Sequence, residues 1–247
     1  MLDFNCFMDL HNHTKWSDGA DKAEDIIVNA INHQVEAVGI TDHFCNDYKY
    51  SIGINMLETY FSEIDKLKQK YKNSIKVFIG VEISYISLLR NYSILPYDLI
   101  NQLDFILIED LDYIPATINL EVIAALLNSI KCGKGLAHTD LAKLADKYED
   151  KGGLDYVLDF IKQSNLFWEI NTDSAHDIFL NILDPIKIEQ KTIAVLKGII
   201  KRKIPVSVGS DTHSLIQYNY ERLKTANEVA EKLNKTGDGS KPLKNTK

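Results

Sequence analysis

Seven short apolar runs alternate with longer segments of helical period along this chain, and that alternation limits the fold more than any other feature. The runs are Cys6–Leu10, Ala37–Thr41, Lys76–Ile83, Leu103–Ile108, Gly135–Ala137, Leu166–Asn171 and Pro205–Gly209. Rich in Val, Ile and Phe, they match strands buried on both faces of a parallel sheet. Helix candidates lie between them at Asp21–His33, Asn55–Tyr71, Asn119–Lys131, Gly153–Gln163 and Ile188–Arg202. A shorter helix fits within Tyr92–Asn101, and a last one covers Tyr218–Asn234. Asp21 is placed to N-cap the first helix, with Glu24 as the reach-back partner of a capping box. Strict alternation predicts an α/β fold with a parallel sheet, either open and doubly wound or closed into a barrel. No Pro/Gly/Ser-rich linker interrupts the pattern. The expectation is one domain over 1–235 and a frayed polar tail over 236–247.

Composition narrows the setting. A length of 247 residues suits one large barrel. The sequence has no apolar run of membrane-spanning length, and its start lacks the basic-then-apolar layout of a signal peptide. Cys6, Cys45 and Cys132 form no CxxC pair, so reduced thiols and a cytoplasmic location are expected. A net charge of −7 argues against a grip on long nucleic acid, which needs a basic stripe. It leaves room for a small phosphorylated substrate held by a few local cations. Nothing in the sequence sets the oligomeric state.

The polar residues fall where a parallel fold gathers its chemistry, at strand C-termini. The first run ends in Asp9, His11 and His13, with Asp18 beyond. The next ends in Asp42 and His43, the third in Glu82, and the fourth in Glu109, Asp110 and Asp112. His138 and Asp140 follow the fifth. Glu169, Asn171 and His176 follow the sixth, and Asp211 and His213 the seventh. Six of the seven histidines thus follow strands; His33 lies on a helix and reads as solvated. Residues i and i+2 of an extended segment point the same way, so His11 can face one centre with His13, and Asp211 with His213. A single histidine after a strand is ordinarily a cap or a packed side chain. Five such sites on one face point instead to metal, and imidazole with carboxylate suits Zn, Mn or Fe. Cys45 reads as a packed thiol, Glu109–Asp112 as an exposed turn, and His176 as either a substrate contact or loop decoration. The tyrosine-rich segment Tyr85–Tyr97, with Arg90, reads as a loop packing its own aromatics or as a pocket wall.

The motifs "DLHNHTKWSDG", "GITDHF", "GVEIS", "LAHTDL", "EINT" and "VGSDTH", in that order at successive strand ends, resemble the PHP superfamily of polymerase and histidinol phosphatase domains. The resemblance runs from Met8 to Leu215 and is nearer to the stand-alone phosphatases. It implies a distorted (β/α)7 barrel with two or three divalent ions (Zn, Mn or Fe) at the C-terminal mouth. His11, His13, Glu82 and Asp211 would hold one ion. Glu82 would bridge to a second, shared with His138, and Asp18, His43 and His213 would hold a third. Asp42 would back His43.

Two departures stand out. The family places a histidine seven residues after the aspartate of the fourth strand, and here that position is Leu111. Asp110 or Asp112 substitutes if the loop shifts, or water fills the place. The loop after "EINT" lacks the family's cation, so phosphate would fall to His176, Lys15 or Arg90. The implied activity is hydrolysis of a small phosphomonoester, histidinol-phosphate-like, by a metal-activated water. Asp211 or His213 would protonate the leaving group. The rivals are a phosphodiesterase or nuclease on short oligonucleotides, and a metal-binding regulatory domain that has lost catalysis, for which Leu111 is the motive.

Overall fold

Around the sheet the seven strands stand in the order of the chain. They are β1 (Met8–Asp9), β2 (Ala37–Ile40), β3 (Lys76–Ser84), β4 (Phe105–Glu109), β5 (Gly133–Leu136), β6 (Phe167–Asn171) and β7 (Val206–Gly209). The structure, a computed structural model, describes residues 2–45, 50–173, 179, 182 and 189–236. Every neighbouring pair is parallel. The open edges meet: Leu10 N–H donates to the Val208 carbonyl at 2.8 Å, Asp211 N–H to that of His11 at 2.8 Å, and His13 N–H to that of Thr212 at 3.0 Å. Of the two architectures the alternation allowed, the closed barrel is the one that forms. Closure removes the exposed edges of an open sheet.

The helices are α1 (Ala23–Asn32), α2 (Leu57–Tyr71), α3 (Tyr85–Asn91), α4 (Tyr97–Ile100), α5 (Leu120–Leu127), α6 (Leu141–Asp146), α7 (Leu154–Gln163), α8 (Gln190–Arg202) and α9 (Tyr220–Thr236). Among the described residues, none of these is long and apolar enough to cross a membrane. Sheet residues such as Val38, Ile40, Val81, Ile108, Ile170 and Val208 are buried with helix residues Ile27, Ile64, Leu158 and Leu223. That is why the strands read as continuously apolar.

Several local expectations are corrected. Asp21 does not cap α1; its carboxylate accepts from Leu215 N–H at 2.7 Å. Lys22 is the cap residue, and Asp25, not Glu24, reaches back to its N–H at 3.2 Å. The segment after β3 is helical, not a loop. Ser84 opens α3 by accepting from Ser87 N–H at 3.1 Å. Asp140, grouped above with the strand-end chemistry, instead caps α6 by accepting from Ala142 and Lys143 N–H, both at 2.9 Å. His33 is the C-cap residue of α1 and is half-buried against the rings of Tyr218 and Tyr220. The tail beyond Thr236 lies outside the described residues.

Candidate metal centre

Five histidines and four carboxylates gather at the C-terminal end of the strands. Glu82, the seventh residue of β3, is nearly inaccessible at 1% exposed and sits at their middle. Its Oε1 lies 3.3 Å from His11 Nε2 and 3.1 Å from His138 Nε2. Its Oε2 lies 3.3 Å from His13 Nε2 and 3.1 Å from His43 Nδ1. Asp211 Oδ1 faces His13 Nε2 at 3.2 Å and His11 Nε2 at 3.5 Å. Asp18 closes the outer side, 3.3 Å from His213 Nε2, 3.6 Å from His43 Nε2 and 3.7 Å from His13 Nδ1. Donor atoms fall within 4.8 Å of one another in three sets: His11, His13 and Asp211; His13, Asp18, His43 and His213; and His43, Glu82 and Glu109.

These separations fit shared ions. Ligands about 2.1 Å from one ion stand about 3.0 Å apart at octahedral angles and about 3.4 Å apart at tetrahedral ones. His11 Nε2 and His13 Nε2 are 3.0 Å apart, and the contacts of both with Glu82 and Asp211 span 3.2–3.5 Å. Two buried atoms, His13 Nδ1 and Glu82 Oε2, make no well-formed hydrogen bond among the described residues. Buried polar atoms ordinarily find partners. An ion is the partner this donor set is built for.

Without ions the cluster balances its charge by protonation. Burial alone pushes His13 down, but the close approach of the Asp211 and Glu82 carboxylates outweighs it and raises the imidazole to about 9. His138 is likewise pushed down by burial and lifted to about 9 by its bond to Glu82. Burial pushes Asp18 up, yet its hydrogen bond to His213 and the charge of His43 bring it down to about 2.

The surroundings hold these side chains rigidly. Glu169 of β6 accepts from His11 Nδ1 at 2.9 Å with one oxygen and from His138 N–H at 2.9 Å with the other. It therefore fixes the tautomer of His11 and leaves Nε2 facing the centre. Gly209 makes that pairing possible: a Cβ there would fall 2.0 Å from Glu169 Oε1 and 2.3 Å from His11 Cβ. His138 and Asp211 carry φ of 28° and 54°, a left-handed backbone disfavoured for such residues and concentrated at functional sites. Asp9, beneath the cluster, accepts from both Ser210 N–H and Ser210 Oγ at 2.8 Å and so pins the turn that presents Asp211.

Several site expectations change. Asp42 does not back His43; it accepts from Thr14 N–H at 2.7 Å, Thr14 Oγ at 2.9 Å and Ser17 Oγ at 2.7 Å, bracing the loop after β1. The stretch Glu109–Asp112 is not an exposed turn, since Glu109, Leu111 and Asp112 are buried. Asp112 is engaged by Lys143 Nζ at 2.9 Å. A carboxylate beside Leu111 that does reach the cluster is Glu109, whose Oε1 lies 3.5 Å from His43 Nδ1. Cys45 packs against the core, and burial raises its thiol to about 11. Lys15 is exposed in the loop after β1, and Arg90 is exposed in the last turn of α3. His176 lies outside the described residues. Sequence reasoning left Glu169 without a role, although its i, i+2 spacing from Asn171 aims both side chains inward. Asn171 Nδ2 donates to Asp211 Oδ2 at 3.3 Å.

A closed parallel barrel with a histidine–carboxylate cage at its C-terminal mouth is the class that fold and site define together. The chain belongs to the PHP domain family, whose profile matches residues 9–173. No curated protein sequence matches it. Among solved structures it is similar to histidinol phosphate phosphatase from Lactococcus lactis, complexed with zinc, L-histidinol and phosphate. The TM-score is 0.63 and the identity 19%, over 92% of this chain and 93% of that one. A putative histidinol phosphatase from Listeria monocytogenes aligns with TM-score 0.58 and 16% identity over 86% and 97%. Structures of YwqE from Bacillus subtilis and CpsB from Streptococcus pneumoniae, metal-dependent tyrosine phosphatases, align with TM-score 0.56 and 19% identity over 91% and 86%. At these identities the likeness is one of fold.

Proposed function

We propose that the protein is a metal-dependent phosphoesterase that hydrolyses a small phosphomonoester. The observation that carries this reading is the cage itself, with Glu82 between four imidazoles at coordination-edge distances. Family membership and the phosphatase neighbours support it. In this reading His11, His13, Glu82 and Asp211 hold one ion. His138 and Glu109 complete a second around Glu82, and Asp18, His43 and His213 hold the outermost. Divalent ions in such a cage supply a water of lowered pKa and neutralise charge on the phosphoryl oxygens.

The chain's own groups do the rest. Glu169 keeps His11 in one tautomer. Asn171 holds Asp211 Oδ2, leaving Oδ1 toward the imidazoles. His213, 36% exposed, sits at the rim with Nδ1 3.0 Å from the Asp211 carbonyl. It or Asp211 beside it is proposed to hand a proton to the departing alkoxide, His213 doing so only when it is not holding the outermost ion. Lys15 and Arg90 are the proposed phosphate cations. Glu109, 3.5 Å from His43 Nδ1 and grouped with His43 and Glu82, is an oxygen donor that speaks against a catalytically silent domain despite Leu111.

The test is turnover of 4-nitrophenyl phosphate beside bis(4-nitrophenyl) phosphate by protein loaded with Mn or Zn. Monoester turnover that disappears in a His11→Ala, His13→Ala double variant is expected. Turnover no higher than that variant's would defeat the reading, and a preference for the diester would favour the nuclease alternative.

A further inference from the structure

Beside the cage lies a cavity of ≈ 390 Å³ with a largely polar lining. Asp211 and His213 form one side, Asp173 and Arg222 another, and Gln217 and Asn219 are contributed by the approach to α9. That is far more room than a phosphoryl group needs, and small-ligand pockets begin at about 300 Å³. The polar lining suits a hydrophilic leaving group.

Arg222 is the one permanent cation among the described lining residues. Asn219 Oδ1 accepts from its backbone N–H at 3.1 Å, which fixes it in the first turn of α9. Its Nη2 donates to the Asp173 carbonyl at 3.0 Å. Its Nε–H is buried and has no hydrogen-bond partner among the described residues. A guanidinium offers five donors in a fixed fork suited to a carboxylate. Here one donor is spent on a neutral oxygen and another has nothing to meet. Burial works against its charge, with Asp173 the carboxylate that counters it.

We infer that Arg222 anchors a carboxylate on the leaving group, so that the preferred substrates are phosphorylated hydroxy acids. This rests on the phosphoesterase reading and deepens it. The phosphoryl group sits at the cage, the carbon skeleton fills the cavity, and the carboxylate meets the guanidinium. A cationic leaving group is disfavoured by the same residue.

Binding of phosphonates that cannot be hydrolysed tests the inference without turnover. The Mn-loaded full chain is titrated calorimetrically with 3-phosphonopropionate, propylphosphonate and 3-aminopropylphosphonate. The carboxylated compound is expected to bind about tenfold more tightly than the neutral one. Arg222→Gln should reduce that advantage to about twofold or less, and Arg222→Lys should restore part of it. Equal affinity for the carboxylated and neutral compounds in the wild-type protein would overturn the inference. So would tighter binding of the ammonium compound, or an advantage that survives Arg222→Gln. If the neutral phosphonate binds and 4-nitrophenyl phosphate turns over, such a result removes the carboxylate assignment alone. If neither happens, the phosphoesterase reading fails and takes this inference with it.

Discussion

The two ends of the barrel use buried polar side chains in opposite ways. At the N-terminal end they complete the backbone. Asn227 accepts from Met8 N–H and donates to the Met8 carbonyl, both at 2.9 Å. Asn234 does the same for Val206, both at 2.9 Å, and Asp104 accepts from Ile79 N–H at 2.7 Å. At the C-terminal end, imidazoles and carboxylates confront one another, and some buried atoms lack a hydrogen bond. The first arrangement satisfies backbone groups at the strand starts that the ladders leave unbonded. The second costs stability, because ionised groups are held out of water. A chain that tolerates such a cluster at one end only is using that end for chemistry.

Four experiments sharpen this contrast. Glu82→Gln removes the carboxylate common to four imidazoles. Metal content and kcat/KM should both fall, the latter by more than about 100-fold, beyond what loss of an outer partner costs. Metal analysis with steady-state kinetics measures it, and full activity with full metal content would refute Glu82 as the central ligand. Glu169→Gln keeps the shape but weakens the hold on His11, so a drop of roughly 10–100-fold in metal affinity is expected. Competition with a chelator reads it.

The third experiment turns on protons. In the metal-free protein His13 and His138 are raised to about 9. Both therefore carry a proton at pH 7.5, whereas a ligand imidazole must be neutral. Metal binding should release protons and tighten as pH climbs toward 9. Titration calorimetry in buffers of different ionisation enthalpy counts them, and no release would contradict the assignment. The smallest effect belongs to the other end. Asn227→Ala leaves the Met8 backbone groups without partners, at a cost of about 1–3 kcal/mol. That corresponds to roughly 2–12 °C in Tm for a chain of this size, with monoester kcat/KM within about twofold of wild type. A loss of activity as large as that of Glu169→Gln would erase the distinction between the ends.

Much of this was legible before any coordinates. Strand and helix placement and the convergence of His11, His13, His43, His138 and His213 follow from periodicity and from where polar residues interrupt it, whereas closure of the sheet into a barrel follows only from the family resemblance. Short helices were missed. Seven residues in α3 and six in α6 give too little period to register, and each announces itself only by a cap, Ser84 or Asp140. Carboxylate roles were the least legible. Asp42 and Glu169 both lie at strand ends, and nothing local says that one braces a loop while the other orients His11. Arg222 sits on the last helix, outside every strand-end motif, and reaches the site only because α9 starts beside the β7 turn.

The seam between β1 and β7 has a consequence for biosynthesis. Asp9 and Ser210, 201 positions apart, must meet before His11 and Asp211 can face each other. Loop closure over such a span is slow relative to local helix formation. The cage is therefore finished last, after all seven strands have left the ribosome. Ions held by Asp211 would select the closed barrel, and a chain cut short before the final strand would lack the complete cage however well its remaining helices formed.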